Sequence, residues 1–272
     1  MTRVSRSWLA LREPADAAAR ATELVEHLRP HLPATGRQVI HDLGCGTGAM
    51  GRWLAPLLRG PQHWVVHDRD AELLEIAAAD LPGPAADGAS VTIEPRESDI
   101  TRLDPGDLAK ADLITASALL DVLTSDELTG LVGVCAGAGC PTLLTLSVVG
   151  RVDLAPVDPL DRRVAAAFDA HQRRATARGP LLGPDAVDAA IEKFRGLEAE
   201  VFVRPSPWRL GPLQADLAAE WFTGWVSAAC EQEPELIGET GDYSRRRLAQ
   251  AIAGQLGVTV YHADLLALPA TA

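Results

Sequence analysis

The stretch that most constrains this chain is residues 38–51, QVIHDLGCGTGAMG. Val39, Ile40 and Leu43 have the apolar, β-branched character of a short buried strand. Gly44, Gly46 and Gly48 then occupy every second place. Without Cβ atoms they let the backbone turn tightly and a ligand lie against it. From Ala49 the apolar residues Met50, Trp53, Leu54, Leu57 and Leu58 fall at helical spacing. A strand, a glycine turn and a helix in that order aim free backbone N–H groups at one concave spot, so this is a cofactor site.

Further apolar runs at 64–68, 91–94, 112–116 and 142–149 alternate with helical stretches at 70–80 and 125–137. Such alternation requires right-handed crossovers and a sheet covered on both faces. The expected fold is α/β, a doubly wound, Rossmann-like, seven-stranded and mostly parallel sheet with helical insertions. Residues 198–205 and 257–263 supply the last strands. A single domain is expected over 1–272, with an N-terminal helical cap (1–36), a cofactor-binding core (37–150) and helical insertions at 151–182 and 206–256 on the acceptor side. Within the cap, a helix is expected over 16–32, after Pro14. Residues 204–211 read as a rigid proline-containing loop.

Lys and Arg number 25 against 37 Asp and Glu, a formal net charge of −12. That balance opposes binding to nucleic-acid phosphates or anionic membranes. The four cysteines form no CxxC pair, no metal-ligand spacing is present, and no apolar run approaches the ~18 residues of a membrane span. A cytoplasmic protein with reduced thiols and no metal is expected, as a monomer or homodimer.

The spacing Gly44-x-Gly46-x-x-Ala49, with Asp68 ending the next strand, is compatible with a dinucleotide fingerprint. Asp42, two residues before the first glycine, favours another ligand. Its carboxylate repels a pyrophosphate but tolerates an ammonium or sulfonium group.

The ordered motifs resemble those of the class I S-adenosylmethionine-dependent methyltransferases over most of the chain. Asp42-Leu-Gly44-Cys45-Gly46-Thr47-Gly48 is similar to the family's first motif, which holds the methionine part of the cofactor. The stretch from Val66 to Leu74, with Asp68 and Arg69, resembles the second, which implies that Asp68 accepts hydrogen bonds from the ribose hydroxyls. Ser98-Asp99-Ile100 resembles the third, with Asp99 toward the adenine amino group and Ile100 against the ring. Residues 112–121 resemble the fourth, with Ser117 and Ala118 facing the methyl end. The chain departs from the common pattern at Asp121, where many small-molecule members carry histidine, and at His67, where glycine is usual. Leading helices in the family often fold over the cofactor, which makes Arg20 a candidate for its carboxylate. Pairing of Arg20 with Asp16 at i, i+4 is the competing role.

The resemblance implies methyl transfer from S-adenosyl-L-methionine to a small-molecule acceptor. An NAD(P)-dependent oxidoreductase and a non-catalytic S-adenosylmethionine-binding protein stand as alternatives. An acceptor that arrives protonated requires a general base. Asp121, His171 and His262 are the candidates, and Asp121 is the best placed because it follows the fourth strand. Trp8, Asp121, Trp208 and Arg209 are expected at the acceptor, with Arg204 as a further anion-binding candidate and Trp8-Leu9 as a lid. Trp221 and Trp225, four apart on one helix, are expected in the core.

Overall fold

The computed structural model describes residues 4–80 and 83–270. Its sheet contains β1 (Gln38–Leu43), β2 (Gln62–Asp68), β3 (Val91–Glu97), β4 (Leu113–Ser117) and β5 (Thr142–Ala155). A small hairpin follows, β6 (Ala175–Thr176) and β7 (Gly179–Pro180), and then β8 (Glu200–Pro205), β9 (Trp208–Leu210) and β10 (Gly257–Leu268). The sheet order is β3-β2-β1-β4-β5-β10-β8. Strands β1 to β5 pair in parallel, and β10 is antiparallel to both β5 and β8. This path has the expected seven strands. An eighth, β9, pairs with the start of β10 where a loop was expected. The strand order reverses between β1 and β4, so a crevice opens beyond their carboxyl ends, where ligands bind in sheets of this type.

β5 shows how the two halves of the molecule divide. Residues 142–147 are buried in succession, as befits a strand covered on both faces, and alternating burial begins at Val148. The strand thus continues to Ala155, into the stretch expected to be insertion. Its outer half and β10 form a ribbon over which α6 (Asp161–Gln172), α8 (Ala215–Gln232) and α9 (Ile237–Ile252) build a separate core. Trp225 is fully buried there and stacks on Trp221, as expected. The sheet proper is flanked by α3 (Ala49–Leu54), α4 (Ala71–Ala79), α5 (Ser125–Gly137) and α7 (Ala186–Gly196). Thr124 caps α5 and forms a capping box with Glu127.

The N-terminal cap differs most from expectation. α1 (Arg6–Ala19) starts at the Ser5 cap and runs through Pro14, and a break at Arg20 separates it from α2 (Thr22–Leu28). Pro14 and Ala10 are both exposed, so the Ala10 carbonyl left without its helical partner is on the solvent side. The break itself is held by Asp264, a fully buried residue of β10. Its Oδ2 accepts the Ala21 N–H at 2.8 Å. Its Oδ1 accepts the Leu146 N–H at 2.8 Å and the Ser206 hydroxyl. Leu146 is at φ 57°, a strained conformation for a branched side chain, and it lies opposite the irregularity between Ala263 and Leu265.

Asp264→Ala is expected to destabilise the fold by on the order of 3–5 kcal/mol, because it strands two buried N–H groups and a hydroxyl. Urea unfolding monitored by circular dichroism measures this directly, and a loss below about 1 kcal/mol contradicts the role.

Candidate active site

The glycine turn is shaped by β1, β2 and the segments that lie over it. Gly44 and Gly46 have φ of 68° and 55°. A Cβ on Gly46 would lie 3.4 Å from Leu9 of α1, and one on Gly44 would lie 3.3 Å from Leu119 beyond β4. Asp68 ties the turn to the next helix. Its Oδ2 accepts the Gly46 N–H at 2.9 Å, and its Oδ1 accepts the N–H of Asp70, the N-cap of α4, at 3.0 Å. Each oxygen retains a second lone pair for a ligand.

A cavity of about 1010 Å³ covers this end of the sheet. Ser98, Asp99 and Ile100 form one side, beyond β3, and Ser117, Ala118 and Leu119 form the other, beyond β4. Asp42, Gly44, Cys45, Gly46, Thr47, Asp68 and Arg69 lie between them. Gly48 sits at the start of α3 and is not part of the wall, its φ of 87° serving the turn. One face of α1 closes the mouth with Trp8, Leu9, Arg12 and Asp16, followed by Arg20 at the helix break.

Two opposite charges are buried in this wall with open valences. Arg20 is 4% exposed and donates from Nη2 to Ser117 Oγ at 3.1 Å, with Nε 3.4 Å from Thr145 Oγ1. Its Nη1 has no partner. Asp42 is 1% exposed and accepts from Thr115 Oγ1 at 2.7 Å, while its Oδ2 is also unpartnered. Burial lowers the pKa of Arg20, opposed by Asp16, Asp264 and Asp42. Burial raises Asp42 to about 6 against the bond from Thr115 and the charge of Arg20. A ligand with adjoining anionic and cationic groups supplies what both lack.

Arg20 does not pair with Asp16. That place is taken by Arg12, whose Nε and Nη2 donate to Asp16 at 2.9 and 3.2 Å. Asp16 also accepts from Trp208 Nε1 at 2.9 Å. Arg12 lies 5.0 Å from the Trp208 ring centroid and 6.0 Å from that of Trp8.

Several expected site residues lie elsewhere. Trp208 is 3% exposed and stands behind Asp16 as core, because β9 makes it part of the sheet. Arg209, its neighbour on the strand, consequently points to the opposite side, an outer groove between α1 and α8. Arg204 lies on β8 beside Glu23, 3.8 Å away. His171 is on α6 with Nε2 3.2 Å from Glu231 of α8, away from the cavity wall. His262 is 5% exposed against the Trp208 ring, and burial lowers its pKa to about 3. Asp121 also falls outside the wall, because the turn at 120–122 directs Val122 and Leu123 inward instead. Burial raises it to about 6, offset by Arg12 and Arg174. Arg12, Asp16, Glu127 and Arg178 line the cavity without having been singled out in the sequence. Trp8, Arg12, Asp16 and Arg20 recur every four residues, the one pattern that would have revealed the α1 face.

His67, at the place where glycine is usual, pairs with a second histidine. His41 Nδ1 lies 3.0 Å from His67 Nε2, and His67 Nδ1 lies 3.0 Å from Ser98 Oγ on the cavity wall. Burial lowers both imidazoles to about 4, so both are neutral at pH 7.

Residues 40–138 match a family model described as a methyltransferase domain. Among solved structures, the cyclopropane synthase MmaA2 from Mycobacterium tuberculosis is 14% identical with a TM-score of 0.51, the match covering 97% of this chain and 94% of that one. Geranyl diphosphate C-methyltransferase from Streptomyces coelicolor A3(2) is 11% identical with a TM-score of 0.46, covering 92% and 80%. An S-adenosylmethionine-dependent methyltransferase from Methanosarcina mazei is 10% identical with a TM-score of 0.48, covering 91% and 98%. Identities this low speak to the fold alone. No curated protein matches the chain.

The histidine pair has a defined pH signature. Unfolded histidines protonate near pH 6.5, whereas the folded pair resists protonation down to about 4. The unfolded chain therefore binds more protons in this window, and the pair's contribution makes stability fall as pH drops from 6.5 toward 4. Asp42, raised to about 6, acts in the opposite sense below pH 6. His67→Gln is expected to remove about one proton from the slope of unfolding free energy against pH between 4.5 and 6. Denaturant melts across that range check it, and an unchanged slope contradicts a neutral His67.

Proposed function

We propose that residues 40–138, which match a methyltransferase-domain model, form a class I, S-adenosylmethionine-dependent methyltransferase domain, and that the cavity at the β1 turn seats the methyl donor beside a small-molecule acceptor. The unpartnered Arg20 Nη1 and Asp42 Oδ2 carry this proposal. A guanidinium N–H and a carboxylate oxygen, both buried and both open, complement the zwitterionic α-amino acid end of S-adenosylmethionine. Arg20 would hold its carboxylate, and Asp42 would accept from its ammonium, whose charge favours the ionised form of Asp42. A pyrophosphate in this place would set negative charge against Asp42, which disfavours the dinucleotide alternative.

The remaining assignments follow the sheet outward. The free lone pairs of Asp68 would take the ribose hydroxyls, with Arg69 beside it. Asp99 and Ile100 would flank the adenine, Asp99 having one oxygen fixed by Thr101 at 3.1 Å from N–H and 2.7 Å from Oγ1. Cys45, Thr47, Ser117 and Ala118 would line the methionine and methyl portion. When bound, S-adenosylmethionine supplies an electrophilic methyl group on a sulfonium. The chain's contribution is orientation and exclusion of water, which can supply much of the acceleration of an in-line displacement. Beyond the methyl end, Trp8, Arg12, Leu119, Val122 and Leu123 of the cavity wall would bound the space for the acceptor. The total volume, near the upper end of about 300–1,000 Å³ for small-molecule sites, suits a cofactor and a compact acceptor together.

Calorimetry with S-adenosylhomocysteine tests the assignment. Arg20→Leu and Asp42→Ala are each expected to weaken binding by at least about tenfold, the worth of a charge-assisted bond. Asp68→Ala is expected to lose most of the affinity with the fold retained by circular dichroism. NADH is expected not to bind. Unchanged affinity in both Arg20→Leu and Asp42→Ala contradicts the seating of the amino acid end.

A further inference from the structure

Among the described residues that line the cavity there is no histidine, tyrosine or lysine. Two carboxylates on the wall away from the glycine turn, Asp16 and Glu127, are each paired with an arginine. Asp16 accepts from Trp208 and twice from Arg12. Glu127 accepts the Thr124 N–H on one oxygen and Arg178 on the other. Taking up a proton at either residue would cost these bonds. Asp121, His171 and His262 stand outside the wall. The other carboxylates among the described residues of the wall lie at the glycine turn and beyond β3, where the cofactor is proposed to sit, so none is left to remove a proton from an acceptor.

It does offer a fixed donor. Asp16 holds Nε and Nη2 of Arg12, Trp208 fixes Asp16, and two indole rings flank the guanidinium. Among the described residues Arg12 Nη1 has no hydrogen-bond partner, and it belongs to a side chain on the cavity wall. Such a donor is built for an oxyanion, and its preorganisation lowers the cost of binding.

We propose that the acceptor is a small carboxylic acid with an apolar body, captured as its carboxylate by Arg12 and methylated to the ester without a general base. This rests on the methyltransferase function proposed above. Carboxylic acids have pKa values of about 4, and at pH 7 they arrive already nucleophilic, whereas alcohols, phenols (about 10) and alkylammonium groups (about 10) do not. One carboxylate oxygen rests on Arg12 Nη1. A lone pair on the other forms the new O–CH3 bond while the C–S bond breaks and its electron pair stays on sulfur. An anion and a sulfonium become a neutral ester and a neutral thioether, and no proton moves. Trp8, Leu119, Val122 and Leu123 suit the apolar body. Asp16 and Trp208 are positioning residues that act through Arg12.

Two matched series test this: phenylacetate, 2-phenylethanol and 2-phenylethylamine, and octanoate, octanol and octylamine, each with methyl-labelled S-adenosylmethionine. Label is expected only with the carboxylates, released as volatile methanol by mild alkali, at a rate level between pH 6.5 and 8.5. Calorimetry gives a second readout. Phenylacetate is expected to bind the protein loaded with S-adenosylhomocysteine, and Arg12→Gln is expected to weaken that binding at least about tenfold while homocysteine-conjugate affinity is unchanged. Trp208→Phe, which keeps the ring but loses the N–H, is expected to raise the acceptor KM more than it changes kcat. Transfer to an alcohol or amine, a rate that climbs with pH, or no transfer to any carboxylate by protein that binds S-adenosylhomocysteine overturns the proposal. Failure to bind S-adenosylhomocysteine overturns the underlying methyltransferase function instead.

Discussion

The geometry of the cavity depends on one buried carboxylate far from it in sequence. Asp264 accepts from Ala21, Leu146 and Ser206, three groups on three separate segments. Its bond to Ala21 holds the chain where α1 ends, and this places Arg20 inward. Its bond to Leu146 stabilises a backbone conformation that a leucine would otherwise avoid. Its bond to the Ser206 hydroxyl anchors the segment that leads into Trp208. Buried polar groups of this kind are costly unless satisfied, and Asp264 is satisfied by groups that each need it in turn. Burial raises its pKa, opposed first by Ser206, then by the two N–H groups and the charge of Arg20.

From this anchor the site is assembled in two layers. Arg20 and Asp42 lie in the wall itself, each with one atom left open. Arg12 comes from the face of α1 and is fixed by Asp16 and Trp208. The cap and the outer ribbon therefore contribute to the same cavity as the glycine turn. The small hairpin of β6 and β7 joins them through Arg178, which pairs with Glu127 of α5.

The half that carries the glycine turn was legible because its signals are local. Glycines at alternate positions, Asp42 before them and Asp68 after the next apolar run lie within 27 residues and carry their own geometry. The mostly parallel sheet followed from alternation of helix and strand. The cap was less legible, since Pro14 suggests a helix boundary, and only the solvent exposure of that face explains its tolerance. β9 is three residues long and looks like a loop until β10 pairs with it. Asp264 sits in a run of apolar residues, and its partners are 58 to 243 positions away. No spacing rule connects them. Trp208 was singled out as a cavity wall, but its N–H instead serves Asp16, 192 residues earlier.

On the proposed function, the two open valences at Arg20 and Asp42 receive the amino acid end of the methyl donor. A crystal structure with S-adenosylhomocysteine tests it most directly. The ligand carboxylate is expected within hydrogen-bond distance of Arg20 Nη1 and its amino group within reach of Asp42 Oδ2. An amino acid end directed away from both residues, with Arg20 Nη1 and Asp42 Oδ2 still unpartnered, contradicts it.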